Sequence, residues 1–457
     1  MKAITLETAA DWSGGVLVQG SAAATVAAVS TDTRAIPRGA LFVALCGEKY
    51  DAHDFLPQAV AGGAGALMVS RRNGYPEGMG IIRVEDTLAG LQRLARNYRR
   101  DWGGIVIGLT GSNGKTSTKD LTRAILSQRW KVNATRGNLN NHVGLPLTVL
   151  ATEPDDTSAV CEMGMHHPGE IAPLAAIAAP DVAIITNVGT AHIEFMGSRE
   201  AIAVEKGMLA EAVPENGCVV LNANDDFTPS LARRSSAKVL TAGIEAGDVR
   251  VSGLVTDATG SRFTLHLPDQ SSAPVHLPVP GRHMAGNAAL AAAAAFHLGM
   301  RIEEIAAGLE SAQLTKGRLQ VRRAGGLTFL DDTYNANLDS MRAALETLAG
   351  FSCEGRRIAV LGRMAELGSH AEKDHHAVGE AAWRSGIDEL CVVGTADAPL
   401  IAEGFLAAGG SAAAVRAFPD CPSCAGHLRR TATPADLILV KGSRSAAMEK
   451  VIELLTA

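Results

Sequence analysis

Short apolar runs bounded by turn residues alternate with amphipathic stretches along most of this sequence. That alternation is typical of α/β folds, in which helices cover sheets of mainly parallel strands. The runs fall into three groups, so we predict three domains at residues 1–84, 85–316 and 317–457. A chain of 457 residues is also too long for one hydrophobic core, which favours the same division.

In the first region, short apolar runs are separated by turn-rich polar loops, which predicts a small α/β domain. The predicted strands are Leu41–Leu45, Ala66–Val69 and Ile81–Val84. A helix is predicted over residues 87–100, because apolar residues recur there at helical spacing, at Leu88, Leu91, Leu94 and Tyr98.

The central region repeats the strand and helix patterns of βαβ units and predicts a parallel sheet. Its predicted strands include Ser158–Cys161, Val182–Ile185 and Cys218–Leu221. Residues 249–279 break the pattern, because two of their segments alternate apolar and polar positions, and we predict an antiparallel insert. A helix is predicted from about residue 287 to 298.

The third region alternates strands and helices again, and a glycine closely follows each strand. The predicted strands are Arg357–Leu361, Leu390–Val393 and Leu437–Val440. The predicted helices are Met341–Leu348, Glu372–Trp383 and Ser445–Leu455. We expect a doubly wound, Rossmann-like sheet that can close over the central domain.

The most informative segment is residues 105–117, where a buried strand runs into a glycine-rich loop and a helix. The inward-facing N–H groups of such a loop, next to a helix N-terminus, can hold a polyphosphate. The lysine would reach the β- and γ-phosphates, and the following hydroxyl would bind Mg²⁺. The upstream glycine, Gly108, lies one position earlier than in the strict phosphate-loop pattern, which predicts a longer loop. The ATP-binding residues predicted here are Gly111, Ser112, Asn113, Gly114, Lys115, Thr116 and Ser117.

Three further polar residues are candidates for binding a metal ion or for catalysis. Glu162 closes a buried strand, where a carboxylate can hold Mg²⁺ or simply face a helix N-terminus. His192 follows a glycine-containing loop after the next strand, although a lone histidine is more often structural than a ligand. Lys206 lies in a helix predicted over residues 200–211.

The composition limits which binding partners and which cellular compartment the sequence predicts. A net charge of −6 and an aromatic content of 4% give no support for nucleic-acid binding. No apolar segment is long enough to span a membrane, and the N-terminal residues do not resemble a secretion signal. Seven scattered cysteines indicate reduced thiols in the cytoplasm, and the lone C-x-x-C at Cys421 and Cys424 is predicted to be an incidental loop.

Ten motifs in order, between Ser30 and Lys450, resemble the Mur ligase family of bacterial cell-wall synthesis. They are Ser30–Arg34, Leu41–Phe55, Gly108–Lys119, Asn138–Pro146, Glu162–Gly164, Gly281–His283 with Asn287, Gly317–Gln320, Asp331–Asn337, Met364–Gly368 and Lys441–Arg444. The resemblance implies an N-terminal UDP-sugar-binding domain, a central ATP-binding domain and a C-terminal Rossmann-like domain. Met208, Met284, Leu338 and Arg363 depart from the family's usual residues.

The resemblance also implies roles for individual residues around ATP. Lys115 would contact the phosphates, while Thr116 and Glu162 would hold a first Mg²⁺. Glu162 and His192 would hold a second Mg²⁺ together with Lys206, the lysine being a carbamate formed from CO₂. The catalytic residues would thus be Lys115, His192 and Lys206. The adenine, the ribose and the γ-phosphate would be contacted by Asn287, Asp332 and Arg318, respectively.

The implied reaction joins D-alanyl-D-alanine to UDP-MurNAc-tripeptide through an acyl phosphate, catalysed by a monomer. The UDP-sugar would be bound by Asp32, Thr33, Arg34, Lys49 and His53, although each could equally be a solvated loop residue. The other substrate-binding residues would be Asn138, Asn335, Asn337, Lys441 and Arg444.

Three alternatives are weighed against this reading. The sister ligase that adds the third amino acid typically carries an Asp-Asn-Pro-Arg stretch, which this sequence lacks. A folylpolyglutamate synthase would lack the motifs at Asp32–Arg34 and Tyr50–Phe55. A switch ATPase, a different class, is disfavoured because no extended apolar run ends in Asp-Glu.

Overall fold

Three large sheets organise the chain in this computed structural model, which describes residues 1–71 and 74–456. The strands of the first lie within residues 16–83, those of the second within 105–277 and those of the third within 320–441. The structure is therefore mixed α/β, with one large sheet in each of the three predicted regions.

The N-terminal sheet has the order β2-β7-β6-β5-β4, with β4 to β7 parallel and β2 antiparallel at one edge. Its strands are β2 (Val16–Gln19), β4 (Val29–Ser30), β5 (Leu41–Val43), β6 (Ala66–Val69) and β7 (Gly80–Arg83). A small second sheet pairs β1 (Ile4–Thr5) with β3 (Thr25–Val26). The helices are α1 (Leu6–Ser13) and α2 (Leu56–Ala61), preceded by a 3-10 turn at Ala52–Phe55.

Helix α3 (Thr87–Trp102) connects the first two sheets and packs against both parts of the chain. Asp86 caps its first turn, and Gly103 ends it in the left-handed conformation that glycine favours. Its buried face contacts α1 on one side and two helices of the central region on the other. The Tyr98 hydroxyl donates a hydrogen bond to the Thr152 carbonyl, at 2.7 Å.

The central sheet has nine strands in the order β16-β15-β14-β13-β12-β11-β8-β10-β9. They are β8 (Ile105–Thr110), β9 (Val132–Ala134), β10 (Ser158–Glu162), β11 (Val182–Ile185), β12 (Cys218–Asn222), β13 (Lys238–Ile244), β14 (Val249–Asp257), β15 (Gly260–His266) and β16 (Ser272–Leu277). Strands β8 to β13 are parallel. Strands β14 to β16 form the predicted antiparallel segment, and β14 pairs in parallel with β13, so the segment extends the main sheet.

Helices cover the central sheet on both faces. They are α4 (Lys115–Leu126), α5 (Gly144–Leu150), α6 (Ile171–Ala178), α7 (Ile193–Met196), α8 (Arg199–Glu211), α9 (Thr228–Ala232), α10 (Arg282–His297) and α11 (Ile302–Glu310). Helix α10 carries a run of buried alanines, whose small side chains let it pack closely against α4 and the sheet.

The C-terminal sheet has the order β17-β18-β22-β19-β20-β21, parallel except for the edge strand β17. The strands are β17 (Gln320–Ala324), β18 (Leu327–Asp332), β19 (Arg357–Gly362), β20 (Glu389–Val393), β21 (Val415–Phe418) and β22 (Leu437–Lys441). The helices are α12 (Leu338–Gly350), α13 (Ala371–Arg384), α14 (Pro399–Ala407), α15 (Cys421–Thr431) and α16 (Glu449–Thr456). Short 3-10 turns lie at Gly368–His370, Ala412–Ala414 and Arg444–Ala446.

Two sequence predictions about this domain are wrong. The C-x-x-C at Cys421 and Cys424 is not a loop, because Asp420 caps a helix that begins at Cys421 and buries both thiols in the core. The last helix begins at Glu449 rather than Ser445, because Ala447 adopts a left-handed conformation with φ of 48°.

Across the described parts of the chain, no helix combines the length and apolarity needed to cross a membrane.

We expect Gly404→Ala to destabilise the C-terminal domain by about 1–3 kcal/mol, because α13 and α14 pack backbone to backbone. A Cβ atom at Gly404 would lie 2.6 Å from Cα of His376. Gly426 in α15 is the matched control, since its Cβ would meet only Arg430 at 3.6 Å, and Gly426→Ala should be neutral or stabilising. Thermal unfolding of both variants checks this; equal shifts would contradict the packing argument.

Candidate ATP and metal site

The phosphate loop occupies four residues, Gly111 to Gly114, between β8 and α4. The predicted longer loop is wrong, because Gly108 lies inside β8, where its missing side chain makes room for Leu209 and Met163. Gly114 has φ of 80°, and a Cβ atom there would lie 2.7 Å from Oδ1 of Asn287. The buried Asn287 side chain therefore packs directly against the loop.

Lys115, Thr116 and Glu162 meet at the start of α4. Nζ of Lys115 donates to the Gly111 carbonyl at 2.8 Å, so the lysine side chain folds back over the loop. The buried Thr116 hydroxyl donates to Oε2 of Glu162 at 3.1 Å. Burial lowers the pKa of Lys115, and the nearby Glu162 carboxylate partly opposes this shift. A hydroxyl and a carboxylate so close together form a donor pair that suits Mg²⁺.

The orientation of Glu162 is set by two residues around it. Its backbone N–H donates to the Thr135 hydroxyl at 2.9 Å. Its Oε1 accepts a 2.9 Å hydrogen bond from Nδ2 of Asn140. Asn138, the asparagine predicted from this motif, is exposed and does not make this contact.

Asn113, in the middle of the loop, is held by the end of β11. Its N–H donates to Oδ1 of Asn187 at 2.9 Å, and its carbonyl accepts from Nδ2 of Asn187 at 3.1 Å. The Thr186 hydroxyl donates to the same carbonyl at 2.5 Å. These bonds hold the loop backbone in one shape before any ligand arrives.

The C-terminal domain reaches this loop directly. Nη2 of Arg318 donates to the Thr116 hydroxyl at 3.2 Å, and its guanidinium stacks 4.0 Å over the Tyr334 ring. Asn337 caps α12 and donates from Nδ2 to Oδ1 of Asn113 at 2.7 Å. The two domains are therefore closed upon the loop in this structure.

His192 bridges the same two domains. It adopts a left-handed conformation with φ of 64°, and its Nδ1 lies 2.6 Å from Oε2 of Glu366 in the C-terminal domain. Glu366 is also left-handed, with φ of 61°. Burial lowers the pKa of His192, while the hydrogen bond to Glu366 opposes that shift. The same hydrogen bond lowers the pKa of Glu366, which favours the carboxylate form.

Lys206 lies on α8 and is 1% exposed. Among the described residues, none is within hydrogen-bond or ion-pair distance of its Nζ. Burial drives the pKa of Lys206 well below its usual value, and the positive charge of Lys115 lowers it further. Lys206 therefore gives up its proton more readily than an ordinary lysine, and the deprotonated amine is the form that can act as a nucleophile.

Three other predicted residues of the C-terminal domain lie together at the ends of β18 and β22. Asp332 accepts from Nζ of the buried Lys441 at 2.5 Å, and Lys441 also donates to the Asn335 carbonyl at 2.9 Å. The Asn335 side chain is exposed. Arg444 is exposed and pairs with Glu449 at 2.9 Å instead of facing this group.

The predicted residues of the N-terminal domain lie in two turns. Arg34 donates two hydrogen bonds to the Asp32 carboxylate, at 2.9 and 2.7 Å, and this pairing lowers the pKa of Asp32 to about 2. His53 is buried between the Asp51 carboxylate and the Ser70 N–H, which makes its role in this structure a structural one. Thr33 is half-buried and Lys49 is exposed.

Comparison of the chain with known proteins identifies its family. A Mur ligase middle-domain model matches residues 109–295, and a model described as Mur ligase, glutamate ligase domain matches residues 317–444. The chain is 40% identical to the UDP-N-acetylmuramoyl-tripeptide–D-alanyl-D-alanine ligase of Escherichia coli K12, covering 100% of this chain and 99% of that protein. It belongs to the Mur ligase family.

Solved structures agree with this assignment over the same length. A crystal structure of MurF from Acinetobacter baumannii matches with a TM-score of 0.91, 33% identity and full coverage of both chains. MurF from Thermotoga maritima in complex with ADP matches with a TM-score of 0.84 and 30% identity, covering 94% of this chain and 97% of that one. The protein is thus an ATP-dependent ligase with the three-domain Mur architecture.

Sequence reasoning missed several residues that contact the site. Asn140 and Glu366 both lie inside motifs that carried the family resemblance, yet neither was singled out as a contact. Asp339 was also missed; its Oδ2 accepts from the Thr190 N–H at 3.1 Å across the domain interface. No local pattern distinguishes these residues from their neighbours, because each contact depends on how distant segments pack.

We expect Gly114→Ala to weaken nucleotide binding at least about tenfold, or about 1.4 kcal/mol. The added methyl group would collide with Asn287 and strain a left-handed residue. Gly137→Ala is the matched control, because Gly137 is also left-handed, with φ of 56°, but its Cβ would enter open space. Calorimetric titration with ATP measures the effect; equal losses in both variants would contradict the role of the Asn287 contact.

Proposed function

We propose that this ligase joins D-alanyl-D-alanine to UDP-N-acetylmuramoyl-tripeptide with hydrolysis of ATP to ADP and phosphate, a step of peptidoglycan precursor synthesis. The observation that carries the proposal is the meeting of Lys115, Thr116 and Glu162 with Arg318 of the C-terminal domain. The full-length similarity to ligases named for this reaction supports the choice of substrates. The proposal places the enzyme in the cytoplasm, where its free thiols stay reduced, as a monomer.

In the first step, an oxygen of the tripeptide's terminal carboxylate attacks the γ-phosphorus of ATP. The bond between that phosphorus and the β–γ bridging oxygen breaks, which gives an acyl phosphate and ADP. Lys115 contacts the loop at Gly111 and Arg318 contacts the Thr116 hydroxyl, so both cations can offset charge on the transferring phosphoryl group. Asn287 beside Gly114 is assigned to the adenine, and Asp332 to the ribose.

In the second step, the free amine of the dipeptide attacks the acyl carbon and inorganic phosphate leaves. An amide bond forms, the amine loses a proton, and no side chain becomes covalently attached. Asn335, Asn337 and Lys441 lie on the C-terminal domain's side of the closed interface, and we assign the incoming dipeptide to that side. Closure therefore brings the second substrate to the acyl phosphate and limits its exposure to water.

The donor set at the loop fits divalent magnesium. Thr116 and Glu162 would hold one ion, and Glu162, His192 and a carbamylated Lys206 would hold another. When bound, the ions would supply positive charge that neutralises the phosphates and the attacking carboxylate. Carbamate formation needs a deprotonated amine, which the burial and lowered pKa of Lys206 favour; Nζ then bonds to the carbon of CO₂ and releases one proton.

The N-terminal domain is assigned to the UDP-sugar. The exposed guanidinium of Arg34, held by Asp32, presents donors that match a phosphate or a uracil carbonyl. Thr33, Lys49 and Asn138 are further surface candidates, and His53 would act by holding the turn at Asp51 in place.

We expect ADP and phosphate formation to require both UDP-MurNAc-tripeptide and D-alanyl-D-alanine, with the pentapeptide as the product identified by mass spectrometry. Lys115→Ala should lower kcat at least about 100-fold, because it removes a charge at the transferred phosphoryl group. Lys131→Ala is the control, since Lys131 is a surface lysine of the same domain paired with Glu153 and Asp155.

The same assay separates the alternatives. Phosphate release without either substrate would indicate a switch ATPase. Release that needs a single amino acid and a dipeptide-bearing UDP-sugar would indicate the sister ligase that adds the third residue.

We expect ¹³C-bicarbonate to produce a carbamate NMR signal that disappears in Lys206→Ala, together with most of the activity. Small carboxylates such as acetate should restore part of the activity, because they can replace the missing ligand. Lys119→Met is the control for the NMR signal, since the buried Lys119 is already paired with Asp120 at 3.0 Å. A signal that persists in Lys206→Ala would show that the carbamate forms on another amine.

A further inference from the structure

A second cluster of ligand-type side chains lies at the junction of the central and C-terminal domains. It consists of His166 and His192 from the loops after β10 and β11, and Glu366 from the loop after β19. Their ligand atoms all lie within 4.8 Å of one another. The two imidazole rings meet edge to face, with centroids 4.5 Å apart. We call these three residues the junction cluster.

The distances between the ligand atoms of the junction cluster are close to those in a metal site. Ligands about 2.1 Å from a shared ion in tetrahedral geometry lie about 3.4 Å apart. Nδ1 of His192 is 2.6 Å from Glu366, and Nε2 of His166 is 3.9 Å from the other carboxylate oxygen. Both His166 and Glu366 are exposed, so small side-chain rotations can even out these distances.

The ligand types select a class of ion. Two imidazoles and one carboxylate favour Zn²⁺, Co²⁺ and similar transition metals, whereas Mg²⁺ prefers an all-oxygen set with several waters. The site at Thr116 and Glu162 is built from oxygen donors. The two sites therefore differ in their preferred metals.

We propose that the junction cluster is a binding site for a divalent transition-metal ion that links the central and C-terminal domains. Two ligands come from one domain and one from the other, so an ion bound to all three holds the domains closed. It also engages His192, which the proposed function assigns to Mg²⁺. Occupancy should therefore inhibit turnover; this consequence rests on the proposed function, whereas binding itself does not.

Co²⁺ is the probe, because its visible absorption reports nitrogen coordination directly. The full-length protein without nucleotide or substrates is titrated with Co²⁺ in the presence of excess Mg²⁺. We expect a saturable absorption band with one ion per chain, competed by Zn²⁺. His166→Gln and Glu366→Gln should each weaken Co²⁺ binding at least about tenfold, because each removes one of three ligands.

His167→Gln is the matched control, because His167 is the next residue, is equally exposed and faces Glu170 instead of the cluster. It should leave the Co²⁺ affinity unchanged. Circular dichroism and thermal unfolding of each variant establish that any loss is not a loss of folding. In the ligase assay, the Zn²⁺ concentration needed for half inhibition should rise at least about tenfold in His166→Gln but not in His167→Gln.

Two outcomes would overturn the proposal. One is Co²⁺ absorption that is unchanged in His166→Gln but lost in Glu162→Gln, which would place the ion in the ATP site. The other is absence of Co²⁺ binding at micromolar to millimolar concentrations in the unsubstituted protein. Because the titration contains no substrates, either result is distinguishable from a failure of the proposed ligase reaction.

Discussion

Parallel alignment of β8, β10 and β11 is the constraint on which the rest of the site depends. Glu162 at the end of β10 is in register with Leu109, and Ile185 at the end of β11 is in register with Thr110. All three strands therefore end at one edge of the sheet, as parallel strands do. The phosphate loop, the Glu162 carboxylate and the segment that holds Asn113 meet there because each follows one of these strands.

Buried charged groups in the central domain and in the C-terminal domain differ in whether a nearby group pairs with them. Glu162 is fully hydrogen-bonded, by Thr116 and Asn140. Lys441 is buried but paired with Asp332. Lys206 is buried without such a partner, and burial of a charge is costly unless it is paired. Burial lowers the pKa of Lys206 well below its usual value, whereas Asp332 opposes the same shift in Lys441.

Domain closure connects these features to the C-terminal sheet. Arg318, Asn337 and Glu366 all reach residues at the edge of the central sheet. These three contacts are polar, whereas buried apolar residues of the two domains, among them Met284 and Met341, also belong to one hydrophobic cluster. His192 and Glu366 are both held in a left-handed conformation at this interface. Such conformations cost energy and tend to persist only where surrounding contacts hold them, often at functional sites.

The sequence by itself was sufficient to predict most of the helices and strands and a phosphate-binding loop. Strands buried on both faces form continuous apolar runs, and the loop from Gly111 to Gly114 is contiguous, so local pattern was sufficient to find them. It misplaced Gly108 and the C-x-x-C, because a glycine in a strand and a proline in the first turn of a helix both look like loop signals. Only the tertiary structure decided that Asn140 rather than Asn138 orients Glu162 and that Arg444 faces Glu449. It also decided that Glu366 meets His192. Those contacts join residues that are distant in sequence, and in some cases only one of several similar neighbouring residues makes the contact. They depend on the packing of whole domains rather than on any local pattern.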